Sequence, residues 1–180
     1  MKKNQKIGSL ALLLILIIGY PITAYAADPY ALSGSESGSI TVKSYSSHND
    51  TWISYIDNGI KAWNGSTAPV EISISSPSNN SIQAARYDDS WYGLCTKSYD
   101  KTTGYITKFV IQINARTIGN AATSFSDFAE SVIAHEFGHV FWLCDNPRTK
   151  LRTLMYQKRD RNVLKLPQTF DIDNVKAKYE

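Results

Sequence analysis

The 180-residue chain has two cysteines, three histidines and two methionines. Cys95 and Cys144 allow a single internal disulfide. In an oxidising compartment they are expected to pair, and two buried thiols are the alternative, because sequence does not show whether the α-carbons approach closely enough. No apolar run reaches the roughly 20 residues that a membrane-spanning helix needs. Charge of one sign is also lacking. Three of the 19 basic residues are Lys2, Lys3 and Lys6, which leaves 16 to face 16 acids, so the rest of the chain is formally neutral. No basic tract alternates with aromatics, so nucleic acid is not an expected partner. Internal repeats and low-complexity linkers are absent as well.

What is present begins with a leader. The three lysines form a basic start, residues 10–18 are wholly apolar, and Ala24-Tyr25-Ala26 is a small-x-small cleavage signal. Residues 1–26 therefore read as a cleaved signal peptide of bacterial type. The expected product is secreted and extracellular, with no membrane attachment after cleavage. An uncleaved anchor is the alternative. Residues 27–38 (ADPYALSGSESG) are rich in serine and glycine and read as a flexible lead-in. Residues 39–180 are then one domain.

Within that domain, 39–43 alternates as a strand, and Trp52, Ile53, Ile56, Ile60 and Trp63 fall at helical spacing behind Asp50 or Thr51 as cap. Asn64-Gly65 stops that helix. Strands are expected at 70–75, 82–86, 91–97 and 105–114, with turn signals between them. A helix over 124–141 is apolar nearly all round and so buried. Ser124 and Asp127 give it a start like a capping box. From Arg148 to Lys165 seven basic residues face one acid, Asp160, and read as a solvated loop. A last helix spans 169–179. The fold class is α/β (α+β): one twisted mixed sheet with an antiparallel edge strand, packed on two helices. An irregular C-terminal subdomain with one closing helix follows.

Residues 135–139 read HEFGH. On a helix His135 and His139 project from one face a turn apart and can ligate one metal ion. Glu136 points about 100° away from His135, so it is placed to reach a water rather than the metal. Zinc lowers the pKa of bound water to roughly 7, and a carboxylate can take the proton during attack on a carbonyl. A third protein ligand is needed. Asp145 lies six residues past His139, far enough for the chain to fold back. His48 reads as a surface loop residue, and the only glutamate after the motif is the terminal Glu180. Cys144 is a competing donor, but a thiolate in the open position would abolish catalysis.

HEFGHVFWLCD resembles the extended HExxHxxGxxH motif of the metzincin zinc proteases, with Asp145 in the third-ligand position as in snapalysin-like enzymes. Thr153-Leu154-Met155-Tyr156 resembles the Met-turn of matrixins, and 170–180 (FDIDNVKAKYE) resembles their closing helix. Trp142 stands where that motif has glycine, at a turn that needs positive φ. A Cys95–Cys144 bridge beside it is one device that would offset the strain. Tyr156 follows the methionine directly and is given no catalytic role. In matrixins the segment after the Met-turn walls the pocket just beyond the scissile bond, so the resemblance implies that Lys158, Arg159, Arg161 and Lys165 favour acidic substrate residues there; side chains pointing into solvent are the alternative.

The resemblance implies a metzincin-like, matrixin-like domain over 39–180. It would be a monomeric zinc metalloendopeptidase with Zn²⁺ on His135, His139 and Asp145, Glu136 as general base, and Met155 as the floor of the Met-turn. Its partner would be a protein or peptide laid along the strand near 91–97. Structural Ca²⁺ is compatible with the resemblance, but no ligand motif for it is readable. Two other readings stay open: a degenerate domain that binds a partner or zinc without turnover, and a zinc amidase acting on cell-wall peptides.

Overall fold

The computed structural model describes residues 28–147 and 151–180; the expected signal peptide and residues 148–150 of the basic stretch lie outside the described residues. The described chain is mixed α/β, with two small sheets and four helices. In chain order these are β1 (Ser39–Val42), α1 (Asp50–Asn64), β2 (Glu71–Ile74), β3 (Ser81–Ala85), β4 (Gly93–Tyr99), β5 (Ile106–Asn114), α2 (Ala115–Ala121), α3 (Phe125–Val140) and α4 (Thr169–Tyr179).

The single mixed sheet expected from the sequence is divided. β1 and β2 form a parallel pair with α1 as their crossover, while the second sheet has the order β3-β5-β4. In that sheet β3 runs parallel to β5, and β4 is antiparallel with one edge unpaired. Side chains account for the division. Ser78 Oγ and Asn80 Nδ2 both donate to the Thr41 carbonyl, where a neighbouring strand's N–H would otherwise bond. The antiparallel edge strand of the expectation is β4.

Phe109, Ile111 and Ile113 alternate along β5 and are buried, with α3 packed on them. α1 lies on α3 in turn. A Cβ at Gly59 would sit 2.3 Å from Ile133, so only glycine permits that approach, and Trp63 Nε1 donates to the Ala134 carbonyl at 2.7 Å. The cap of α1 is Asn49 rather than Asp50 or Thr51; its side chain accepts from the Trp52 N–H at 3.0 Å. Ser124 Oγ donates to the Asp127 carboxylate at the start of α3 and does not cap a backbone N–H. The short α2 has one buried side chain, Ile118, too little periodicity for the sequence to announce it.

Residues 28–38 are not a free lead-in. Ala31 N donates to Trp142 O, Ser35 N to Val140 O and Cys144 N to Pro29 O, and Ser33 and Ser35 are buried. Small side chains let this strap lie flat across the C-terminal end of α3. The composition that suggested flexibility is what permits the docking.

Candidate metal centre

HEFGH occupies the last two turns of α3, where His135 and Glu136 are buried and His139 is half-buried. His135 Nδ1 lies 3.0 Å from the Leu154 carbonyl and His139 Nδ1 lies 2.9 Å from the Leu143 carbonyl. A carbonyl only accepts, so each Nδ1 carries the proton and each Nε2 presents a lone pair. Burial pushes His135 down to about 3, so the ring is neutral. Both Nε2 atoms face Asp145 Oδ1, at 3.1 Å from His135 and 3.8 Å from His139. Tetrahedral bonds of about 2.0–2.1 Å put ligand atoms roughly 3.3 Å apart, and the two distances bracket that value.

Asp145 Oδ1 is buried and has no hydrogen-bond partner. Its other oxygen accepts from Gln157 Nε2 at 3.0 Å. Three electron-pair donors thus converge with no proton to share among them. A divalent cation is the species such a donor set fits, and two imidazoles with one carboxylate suit zinc.

Glu136 also falls within reach, since the ligand atoms of His135, Glu136 and His139 lie within 4.8 Å of one another. Burial first, then the charge of Asp145, pushes its carboxyl up to about 8. Gly93 makes room for it. A Cβ there would be 2.5 Å from Glu136 Oε1, so β4 can approach α3 only as glycine.

The supports of the two histidines come from different places. Met155 is buried, and a Cβ at Gly138 would lie 2.6 Å from its Sδ, so the thioether fills the floor under the turn between the histidines. The Thr153–Met155 segment is held from α4. Thr153 Oγ1 donates to Asp171 Oδ1, and Leu154 N donates to Asp171 Oδ2 at 2.7 Å. The Leu154 carbonyl is the one that fixes the His135 tautomer. On the other side Lys97 Nζ donates to the carbonyls of His139 (3.1 Å) and Ser33 (3.0 Å), tying the strap to the helix end.

Trp142 takes φ 70°, the only positive φ outside glycine among the described residues. Leu143 N bonds back to Gly138 O at 3.0 Å, so the helix closes with the left-handed turn that glycine usually supplies. The indole offsets the strain. It is buried, its Nε1 donates to Ser35 O at 2.8 Å, and Lys178 Nζ sits 3.7 Å from the ring. A disulfide has no part in this, because Cys95 and Cys144 are both free thiols. Cys144 Sγ donates to Tyr30 O, a contact with the strap, and burial raises its pKa. Burial, with the Glu136 charge second, pushes Cys95 up to about 12, so it stays a thiol.

His48 lies half-buried in the loop before α1, where its Nδ1 is 3.0 Å from Tyr45 O and its Nε2 accepts from Ala84 N at 3.2 Å. It has no place in the centre. Two contributors went unread in the sequence. Asp171 carried a usable signal as an acid at the third position of a helix. Lys97 carried none, since nothing local marks a basic side chain as buried.

The centre opens into a cleft of about 410 Å³ lined by β4, α3 and the loop after Met155. No family model and no curated protein matches this chain. Among solved structures it is similar to a chain from the GM1 bound form of the ECX AB5 holotoxin. The identity is 13%, over 78% of this chain and 79% of that one, with a TM-score of 0.47.

Proposed function

We propose that this protein is a secreted zinc endopeptidase with a metzincin-like, matrixin-like catalytic domain. One observation carries the reading. Two imidazole lone pairs and an unpartnered buried carboxylate oxygen converge beside a second carboxylate, at the base of an open cleft. His135, His139 and Asp145 would hold the metal. Zinc at that position supplies Lewis acidity toward water and toward the scissile carbonyl.

The remaining roles belong to the chain. Glu136 takes the proton of the attacking water and delivers it to the leaving amine. The Leu154 and Leu143 carbonyls keep both imidazoles in the tautomer that presents Nε2. The unpaired edge of β4 bonds an extended substrate as an added strand, which aligns a peptide past Glu136. Met155 fills the floor and holds the ligand geometry without touching substrate.

The non-catalytic alternative draws on Trp142 alone, which takes positive φ and donates to Ser35 O. The test is cleavage of an unfolded protein and of a cell-wall peptide side by side. Cleavage of the protein, lost with chelator and regained with zinc, is expected. Cleavage of the cell-wall peptide alone would make the enzyme an amidase, and a zinc-bound protein inert on both would make it a binder.

A further inference from the structure

Arg159 is 7% exposed, yet none of the ion pairs among the described residues includes it. Its Nε donates to Ser131 Oγ (3.3 Å), Nη2 to Ser131 O (3.2 Å) and Nη1 to Tyr156 O (3.3 Å). All three acceptors are neutral, and a guanidinium has five N–H donors. A buried charge is costly unless it is paired. Burial lowers its pKa to about 9, which still leaves it charged at neutral pH. This cation lines the cleft together with His135, Glu136 and Asp145.

Arg161 lines the same cleft and is half-buried. Its guanidinium carbon sits 4.9 Å from the Tyr92 ring centre and 5.7 Å from that of Phe128, and its Nη2 donates to Gln157 O at 2.8 Å. No acid pairs with it among the described residues. The neighbouring basic residues do not share this position. Lys158 is exposed and lies outside the cleft lining. Lys165 is neutralised by Asp127 at 2.6 Å and Glu130 at 2.9 Å. Of the stretch read from sequence as a solvated basic loop, two guanidiniums therefore enter the cleft unpaired. The cleft's own acids, Glu136 and Asp145, are committed to the centre.

We infer that Arg159, assisted by Arg161, is the specificity determinant of this cleft and binds a substrate carboxylate next to the bond that is cut. The inference rests on the endopeptidase reading for the cut itself, though not for the binding. Two sources can supply the group: an acidic side chain flanking the scissile bond, or the free C-terminal carboxylate of a short peptide. Both offer the planar, bidentate partner that a guanidinium fork matches.

The experiment uses zinc-loaded full-length mature protein and matched peptides. One pair differs only by Glu against Gln beside the cleaved bond, and a second differs only by a free or amidated C-terminus. A preference of at least about tenfold in kcat/KM for one acid form is expected, the size of a charge-assisted hydrogen bond. The first pair showing it identifies a side-chain carboxylate, and the second a terminal one. Arg161→Gln, which alters a half-buried side chain, should shrink the preference by slowing the acid peptide more than its neutral partner. Arg159→Lys should shrink it further. Loss of structure alone would slow acid and amide peptides equally. In parallel, binding of the same pairs to Glu136→Ala is followed by tryptophan fluorescence, with Trp91 in the cleft wall. If no peptide is cut, the proteolytic reading fails and the binding arm decides: acid-over-amide binding upholds the carboxylate site. Acid and amide forms equal within twofold in both arms would overturn it.

Discussion

The strap at residues 28–38 and the loop at residues 151–165 support opposite ends of the HEFGH segment, by different means. The strap is held mainly through its backbone, by bonds to Val140, Trp142 and Cys144 around the end of α3. The loop is held through side chains: Thr153 on Asp171, Met155 beneath Gly138 and Arg159 on Ser131. A backbone-held segment depends on close approach, and a Cβ at Gly34 would lie 2.2 Å from Trp142 and one at Gly38 2.0 Å from Pro69 O. A side-chain-held segment depends on single residues. Away from those two glycines, single substitutions should do more damage to the loop than to the strap.

The largest expected effect is at Asp171→Ala. It removes a buried carboxylate that accepts from Thr153, Leu154 and Gln168. Stability should fall by about 3 kcal/mol, as when buried donors lose a charged partner. Zinc affinity should fall with it, because the Leu154 carbonyl orients His135. Thermal unfolding with a parallel zinc titration reads both. Unchanged zinc affinity would mean that the loop does not set the ligand geometry.

Trp142→Gly sharpens the contrast from the strap side. Glycine relieves a left-handed strain of roughly 1–2 kcal/mol, but the loss of a buried indole costs about 3–5 kcal/mol. A net loss of about 2 kcal/mol is expected, together with faster amide exchange across residues 28–38. A gain in stability would show that the indole does not brace the turn.

The smallest effect concerns the Lys165 bridge to α3. Its hydrogen bond, with that of Ser124, holds the Asp127 carboxyl below its ordinary value. A depressed carboxyl contributes stability above its unfolded pKa and loses it as pH falls through the folded one. Lys165→Met should therefore flatten the acid limb of the stability–pH curve slightly and leave the neutral region nearly level. A curve superimposable on wild type would remove the bridge from the account.

These contrasts also mark what the sequence could reveal. HEFGH and its apolar flanks located α3, and the spacing to Asp145 found the oxygen that meets both imidazoles, because local pattern governs both. α4 was readable over 169–179 for the same reason. The sheet was read as one because side-chain interception of Thr41 by Ser78 and Asn80 leaves no periodic trace. The strap was read as flexible because composition reports average solvation and cannot show a surface waiting at Trp142. The burial of Arg159 was hidden likewise. A charged residue in a charged stretch reads as exposed until the fold places Ser131 and the cleft around it.

The central claim is that Asp145, not Glu136, completes the metal site and that Glu136 stays free for proton transfer. The most direct measurement is the zinc content of purified Glu136→Ala and Asp145→Ala proteins, each confirmed as folded. One zinc per chain is expected in Glu136→Ala and little or none in Asp145→Ala. Zinc retained by Asp145→Ala and lost from Glu136→Ala would contradict it.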